Sequence, residues 1–185
     1  SSPQLRPNYA PMKTKIIIFS LLLCICNFQI SAQLNDTTIG DALNLGGNCF
    51  LITPEGQYKA GGVWYDNPID FSNDFTIYYQ NNFGDIDATG ADGMALVFKT
   101  TPDPVIGRTA NGLGYLGINN SLIVEFDTFA NGDVGDPYYD HLAIMKNGNV
   151  THNSADNLAG PVQASSLSAN IEDGIFHDVK VQWDA

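Results

Sequence analysis

The stretch V-E-F-D-T-F-A-N-G-D-V-G-D-P-Y-Y-D-H, residues 124–141, begins as a strand and ends as a loop. Its first residues alternate with the two-residue period of a pleated strand, so Glu125 and Asp127 point to one side. The apolar and β-branched residues between them point to the other side, which fits a core. Asn, Gly, Asp and Pro, the residue types that favour turns, dominate residues 131–137. His141 ends the stretch.

The donor atoms in this stretch, which we call the metal loop (residues 125–141), predict a site for two divalent cations. Carboxylate, amide and carbonyl oxygens suit calcium, and an imidazole beside carboxylates suits a first-row transition ion such as manganese. The alternative is a solvated acidic turn after an edge strand. We expect Glu125, Asp127, Asp136 and His141 to hold the transition ion, and Asp127, the Phe129 carbonyl, Asn131 and Asp136 to hold calcium.

The metal loop resembles that of the legume lectin, or L-type lectin, family. The shared pattern E-F-D-T-F-x-N-x-D-x-G-D-P-x-x-x-H is long and free of gaps. Phe129 stands where the family often has Tyr, but the ligand there is the main-chain carbonyl. Similar strings, A-G-x-V-W-Y-x-x-P-I-D and D-G-x-x-H-x-V, extend the resemblance over nearly all of residues 34–185. It implies an all-β, concanavalin A-like jelly-roll β-sandwich, incomplete at the C-terminus.

The resemblance also implies a sugar site assembled from three loops. The string G-A-D-G, here called the Asp92 turn (residues 90–93), carries the family's sugar-binding Asp in a cis peptide with the preceding Ala. The string N-G-L-G-Y-L-G, the glycine-rich loop (residues 111–117), resembles the family loop whose backbone N–H donates to the sugar. Gly112 or Gly114 is the candidate donor. Asn131 would add a donor and an acceptor.

An aromatic side chain is expected to pack against the apolar face of the sugar ring. Phe129 is the first candidate and Tyr115 the second. Trp64 lies in a strand pattern with apolar neighbours, so we expect it to pack in the core or at its rim. These assignments predict a lectin that binds glycans or glycoproteins with the help of Ca²⁺ and Mn²⁺, with oligomerisation possible.

Outside the metal loop, short apolar runs separated by Gly, Pro, Asn and Asp predict an all-β domain. We expect Asn147 and Gly148 to form a hairpin turn, His152 to lie in a polar turn, and His177 to be structural. Cys49 is expected to be a small buried residue. Strands are expected at 49–52, 61–65, 75–79, 94–98 and 142–145.

Residues 1–32 are interpreted as upstream residues followed by a secretory signal peptide. Met12 and two lysines precede an apolar run at 16–25, and Ile-Ser-Ala precedes the expected cleavage site. The run is too short for a comfortable membrane span. We therefore expect residues 33–185 to form a truncated L-type lectin-like domain with no membrane span, secreted or displayed at the cell surface.

The charge of the chain argues against nucleic-acid binding. Three of the eight basic residues and none of the twenty acidic residues fall in 1–32, so residues 33–185 are strongly acidic. Such a surface repels phosphate backbones. It is compatible with neutral glycans and with calcium.

A glycoside hydrolase on the same jelly roll is the alternative function. Retaining hydrolases need two carboxyl groups about 5–5.5 Å apart, which jelly-roll hydrolases supply as E-x-D-x-E or E-x-D-x-x-E on one strand. Glu125 and Asp127 fill the first two positions, but Phe129 and Ala130 stand where the second Glu belongs. We therefore expect no enzymatic activity. A structural adhesion domain without sugar binding would be favoured if Asp92 lay far from Asn131.

Overall fold

The computed structural model describes residues 35–185, and its regular structure is almost entirely β. A single 3₁₀ turn, Ala110–Gly112, is the helical element among these residues, which confirms the predicted all-β class. The predicted strands at 49–52, 61–65, 75–79, 94–98 and 142–145 all form. The strands are β1 (Asp36–Gly40), β2 (Leu43–Gly46), β3 (Cys49–Leu51), β4 (Gly61–Tyr65), β5 (Phe75–Asn81), β6 (Gly93–Lys99), β7 (Ser121–Asp127), β8 (His141–Lys146), β9 (Asn157–Gln163) and β10 (His177–Trp183).

Four antiparallel strands in the order β6-β7-β8-β9 form the sheet that carries the metal loop. The strand that supplies the two carboxylates, β7, is hydrogen-bonded on both sides. Asp127 pairs with Gly93 on β6 and with His141 on β8. The edge-strand alternative for this segment is therefore excluded.

The remaining strands form two-stranded pairs, β1 with β4, β2 with β3, and β5 with β10. An aromatic cluster packs the β5–β10 pair against β6, because Phe98 of β6 lies 5.2 Å, centroid to centroid, from Phe71 and 6.0 Å from Phe75. Trp183 of β10 stacks on Phe75 and donates its indole N–H to the Phe71 carbonyl. Apolar burial of this kind is the main favourable contribution to folding.

The buried core lies on the side of β7 that carries its two carboxylates. Ile123, Glu125 and Asp127 share this face, and all three are almost completely buried. The opposite, apolar face is also covered, as predicted, because Phe126 is buried there. Trp64 packs against this core as predicted and donates its indole N–H to the Val105 carbonyl.

The expectation that Cys49 is buried is wrong. The residue begins β3 in the β2–β3 hairpin, and its side chain is exposed. Apolar side chains of the hairpin, such as Leu43 and Leu45, are exposed as well. The predicted signal segment at 1–32 lies outside the described residues. Among the residues that are described, no helix is long and apolar enough to cross a bilayer.

Candidate metal and sugar-binding site

The pairing of β7 with β8 assembles the first half of the predicted metal site. His141 lies directly opposite Asp127 in the antiparallel ladder, and Glu125 points to the same face two residues earlier. Residues paired in this way have Cβ atoms about 4.5–5.5 Å apart. Glu125 and His141 are each 1% exposed, and Asp127 is 3% exposed. The carboxylates are therefore core residues, in contrast to the solvated acidic turn weighed as an alternative.

Hydrogen bonds from its own backbone fold the metal loop around the remaining predicted ligands. Asp127 Oδ1 accepts the N–H of Phe129 at 2.8 Å, and Asp136 Oδ2 accepts the N–H of Asn131 at 2.7 Å. Val134 lies between them in sequence and enters the hydrophobic core, which anchors the middle of the loop. One oxygen of each carboxylate is thus fixed by the loop.

His152 is a member of the site that the sequence patterns did not identify. The predicted turn at Asn147 and Gly148 forms, but residues 147–156 intervene before β9 begins. This connection folds back over the metal loop, where the backbone N–H of His152 donates to the Val134 carbonyl at 2.9 Å. His152 lies in a turn of polar residues, as expected, but its side chain is buried.

The imidazole of His152 faces the predicted metal ligands. Its Nε2 atom lies 3.2 Å from Glu125 Oε1, 3.1 Å from Asp136 Oδ1 and 3.0 Å from His141 Nε2. His141 Nε2 lies 3.7 Å from the same Glu125 oxygen and 3.8 Å from the same Asp136 oxygen. Two carboxylate oxygens and two imidazole nitrogens therefore converge on one point.

Several buried polar atoms of the site lack a hydrogen-bond partner. These atoms are Glu125 Oε1, Asp136 Oδ1, Asn131 Oδ1 and His152 Nδ1. Leaving a buried polar group unpaired costs about 1–3 kcal/mol. The three oxygens are predicted metal ligands, and Asp127, Asp136 and His141 also lie close enough to share an ion. The residues therefore fit a bound cation, which would satisfy oxygens that the protein alone leaves unpaired.

Burial and mutual repulsion of the carboxylates shape the electrostatics of the site. Burial, opposed by the Phe129 N–H and reinforced by Asp136 and Glu125, raises the pKa of Asp127 to about 8. For His152, burial opposes the charged ring, but Asp136 and Glu125 outweigh it and raise its pKa. Burial is the largest cause for Asp127, but in both shifts the neighbouring carboxylates favour added positive charge, which a bound cation would supply.

Tyr115 supports Glu125 and is not available to a sugar. Its ring is fully buried in the core, so the expectation that it could stack on a ligand is wrong. Its hydroxyl donates to Glu125 Oε2, which leaves Oε1 directed at the imidazoles. Burial, followed by the charge of Glu125, raises the pKa of Tyr115, so its proton stays in place. A positioning hydrogen bond of this type fixes the orientation of a metal ligand.

The Asp92 turn lies against the end of β7. The Ala91–Asp92 peptide is cis, as the resemblance implied. Asp92 accepts the backbone N–H of Thr128 on its carbonyl at 3.0 Å. Its side chain is partly buried, and burial raises its pKa. The carboxylate is also near enough to Asp127 to raise the pKa of that residue. The turn and the metal loop are therefore in direct contact.

The glycine-rich loop approaches the Asp92 turn through Leu113, whose side chain packs beside Gly93. The two glycine N–H groups are already used within the loop: Gly112 donates to Thr109 at 3.1 Å and Gly114 to Arg108 at 3.0 Å. Neither has a hydrogen left for a sugar hydroxyl in this conformation. Phe129 is 37% exposed, which leaves part of its ring accessible at the surface.

The comparisons with known proteins agree with this geometry. Residues 26–185 match the family model of the legume lectin beta-barrel domain. Basic winged bean lectin, solved with Tn-antigen, has a similar fold, with a TM-score of 0.58 and 19% identity over 83% of this chain and 67% of that one. A lectin from Bauhinia forficata, solved with GalNAc, has a TM-score of 0.56 and 22% identity over 85% of this chain and 70% of that one. These similarities confirm the predicted jelly roll.

A curated relative of different character also matches. The pesticidal crystal protein Cry22Aa of Bacillus thuringiensis is 25% identical over 160 residues, which cover 77% of this chain. The matched part makes up 21% of that protein, so this chain spans about a fifth of its length.

Proposed function

The chain belongs to the legume lectin domain family, and from this we propose that it is a secreted or surface-displayed lectin that binds carbohydrate with the help of metal ions. The observation that carries the proposal is the contact between the Asp92 turn and the metal loop. Asp92 offers carboxylate acceptors beside a loop that presents Asn131 and the exposed ring of Phe129.

The ligand chemistry is set by the groups available. A carboxylate accepts hydrogen bonds only, while an amide side chain both donates and accepts. Asp92 and Asn131 together thus suit neighbouring hydroxyls of a pyranose ring. Phe129 supplies an apolar surface for the ring's C–H face. Both glycine amides are engaged, so we assign Gly112 and Gly114 the role of shaping the loop. Because the Bauhinia forficata lectin was solved with GalNAc, this is the first sugar to test.

The metal ions have a structural role in this proposal. Asp127, the Phe129 carbonyl, Asn131 and Asp136 would hold calcium, and Asn131 would thereby be fixed for the sugar. Its side-chain oxygen is buried and unpaired among the described residues, as expected of a metal ligand. A cation supplies charge compensation here, and no bond of the sugar is broken.

Glycoside hydrolysis lacks support from the site. Glu125, the only candidate nucleophile of the strand pattern, is 1% exposed and contacts two imidazoles and the Tyr115 hydroxyl. A substrate cannot reach a carboxylate in that position. We therefore propose binding without catalysis, to glycans or glycoproteins.

The proposal is tested with Asp92→Asn on a glycan array and by titration with GalNAc, galactose, mannose and glucose. An open monosaccharide site should bind with an affinity of the order of millimolar, about −4 kcal/mol. The variant should lose this binding while keeping its fold and calcium content. Asp133→Asn is the matched control, because Asp133 is exposed in the metal loop and is not a proposed ligand. Unchanged binding by Asp92→Asn would place the sugar site elsewhere.

A further inference from the structure

We propose that His152 is a protein ligand of the transition-metal position, and that this position is a four-coordinate site selective for zinc-like ions over manganese. The ligands are Glu125, Asp136, His141 and His152. The inference rests on the metal-dependent part of the proposed function and changes both the ligand set and the ion expected from the sequence.

Glu125, His141 and His152 each place one ligand atom within 4.8 Å of the others, and Asp136 Oδ1 lies within 3.8 Å of both imidazole nitrogens. The five contacts between the two imidazole nitrogens and the two carboxylate oxygens range from 3.0 to 3.8 Å. Zinc bonds to nitrogen and oxygen are about 2.0–2.1 Å long, so the edge of a regular tetrahedron of such ligands is about 3.3 Å. The observed contacts scatter around that edge. All four side chains are almost completely buried, which suits a closed site.

A single proton on His152 would satisfy only part of this cluster. His152 Nε2 has three close neighbours at 3.0–3.2 Å, on Glu125, Asp136 and His141. A protonated ring nitrogen carries one hydrogen and can direct it well at one of them. The Glu125 and Asp136 oxygens that face the ring accept no hydrogen bond of good geometry. A cation would instead bind several of these atoms at once.

The donor set determines which ion is preferred. Carboxylate, carbonyl and water ligands suit manganese, whereas imidazole suits zinc, copper and nickel. A ligand set of two imidazoles and two carboxylates therefore favours zinc over manganese at this position. Asp127 remains available to the calcium position, since the Phe129 N–H orients its carboxylate within the metal loop.

His152 is held for this role by the fold. Its backbone N–H donates to Val134, and its carbonyl accepts the side-chain amide of Asn157 at 2.9 Å. Its turn is therefore attached both to the metal loop and to the start of β9. The imidazole is held toward Glu125 and Asp136 by hydrogen bonds to the His152 backbone that do not depend on the metal.

The experiment is a metal titration of the purified protein, stripped with a chelator and resupplied with calcium. Zn²⁺ and Mn²⁺ affinities are measured by calorimetry, and Co²⁺ is used as a spectroscopic probe. We expect Co²⁺ to give the intense visible absorption of a four-coordinate ion. His152→Asn should weaken Zn²⁺ binding about 10–100-fold and change Mn²⁺ binding much less. The ratio of the Zn²⁺ affinity to the Mn²⁺ affinity should therefore fall sharply.

His177→Asn is the matched control, because His177 contacts Asp173 and the Ile171 carbonyl, away from the proposed ligands. It should leave the ratio unchanged. The Co²⁺ spectrum of the parent protein needs no variant and decides the coordination even if His152→Asn fails to fold. A weak, six-coordinate Co²⁺ spectrum, or a Zn²⁺/Mn²⁺ ratio that survives His152→Asn, overturns the inference, as does the absence of any metal binding.

Failure of the proposed sugar function gives a different result. A protein that binds Zn²⁺ through His152, but whose glycan binding is absent or indifferent to Asp92→Asn, retains the metal site and loses the lectin assignment. Glycan binding that depends on Asp92, together with a manganese-preferring site, keeps the lectin assignment and overturns the zinc site.

Discussion

The backbone N–H of Thr128 donates a 3.0 Å hydrogen bond to the carbonyl oxygen of Asp92. This bond joins the Asp92 turn to the metal loop one residue beyond the metal-ligand candidate Asp127. A group that orders the metal loop therefore also supports the turn that carries the sugar-binding candidate. Metal content and sugar binding are expected to change together.

Metal removal is the first prediction. Glu125, Asp127 and Asp136 are buried close together, so their repulsion is relieved by a cation that binds only the folded state. At metal concentrations about 100-fold above the dissociation constant this contributes about 2.7 kcal/mol. EDTA should lower the melting temperature by about 5–10 °C, measured by differential scanning fluorimetry, and calcium with zinc should restore it. An unchanged melting temperature with intact sugar binding would contradict the prediction.

Substitution of Gly93 should destabilise the turn. Gly93 has φ +132°, and a β-carbon there would overlap the Phe126 carbonyl oxygen. Gly93→Ala should therefore cost about 2–4 kcal/mol in free energy of unfolding and weaken sugar binding. Urea denaturation measures the cost. Gly132→Ala is the control, because Gly132 lies in the metal loop with open space around its Cα. Equal stability of the two variants would refute the expectation.

Removal of the Tyr115 hydroxyl should weaken the transition-metal position. Tyr115→Phe keeps the buried ring but takes away the donor to Glu125 Oε2. We expect a loss of about 10-fold in affinity for the transition ion, measured by calorimetry, with little change in calcium binding. Tyr138→Phe is the control, since Tyr138 is fully exposed in the metal loop. Affinities that agree for both variants would show that Tyr115 has no positioning role.

The stability of the domain should depend on pH through Glu172, which packs against Gly90 in the Asp92 turn. Burial, reinforced by Asp140, raises the pKa of Glu172 from 4.5 to about 7. The folded state thus holds the proton more tightly than the unfolded state. This contribution is complete below about pH 4.5 and is lost as the pH rises through 7.

Glu172→Gln should accordingly be more stable than the parent at pH 8, by on the order of 1–2 kcal/mol, and similar to it at pH 4. Urea denaturation at both pH values tests this. A variant that is less stable than the parent at pH 8 would mean that the ionised carboxylate has a stabilising partner.

The local sequence pattern was sufficient to predict much of the fold and of the candidate site. The alternation around Glu125 and Asp127 and the turn residues after them predicted β7 and its loop, and both are present. The resemblance supplied the cis peptide before Asp92, which is also present. These features depend on residues that are neighbours in sequence, so a short window contains what determines them.

The burial of individual side chains could not be predicted from such short stretches of sequence. Whether Glu125 faces solvent or core depends on which elements cover that side of the sheet. Tyr115, ten residues earlier in the chain, covers Glu125 there. The use of the Gly112 and Gly114 amides within their own loop depends on its backbone conformation. The exposure of Cys49 similarly depends on the contacts of the β2–β3 hairpin, which an apolar pattern does not specify.

The sequence by itself determined the all-β class, the strand that carries Glu125 and Asp127, and the donor groups of a candidate cation site. Only the tertiary structure decided that His152 lies beside those residues. Its position results from a ten-residue connection that folds back and hydrogen-bonds to Val134. The periodicity of a strand fixes the direction of side chains within it, whereas the path of a connecting loop is set by the surfaces on which it packs.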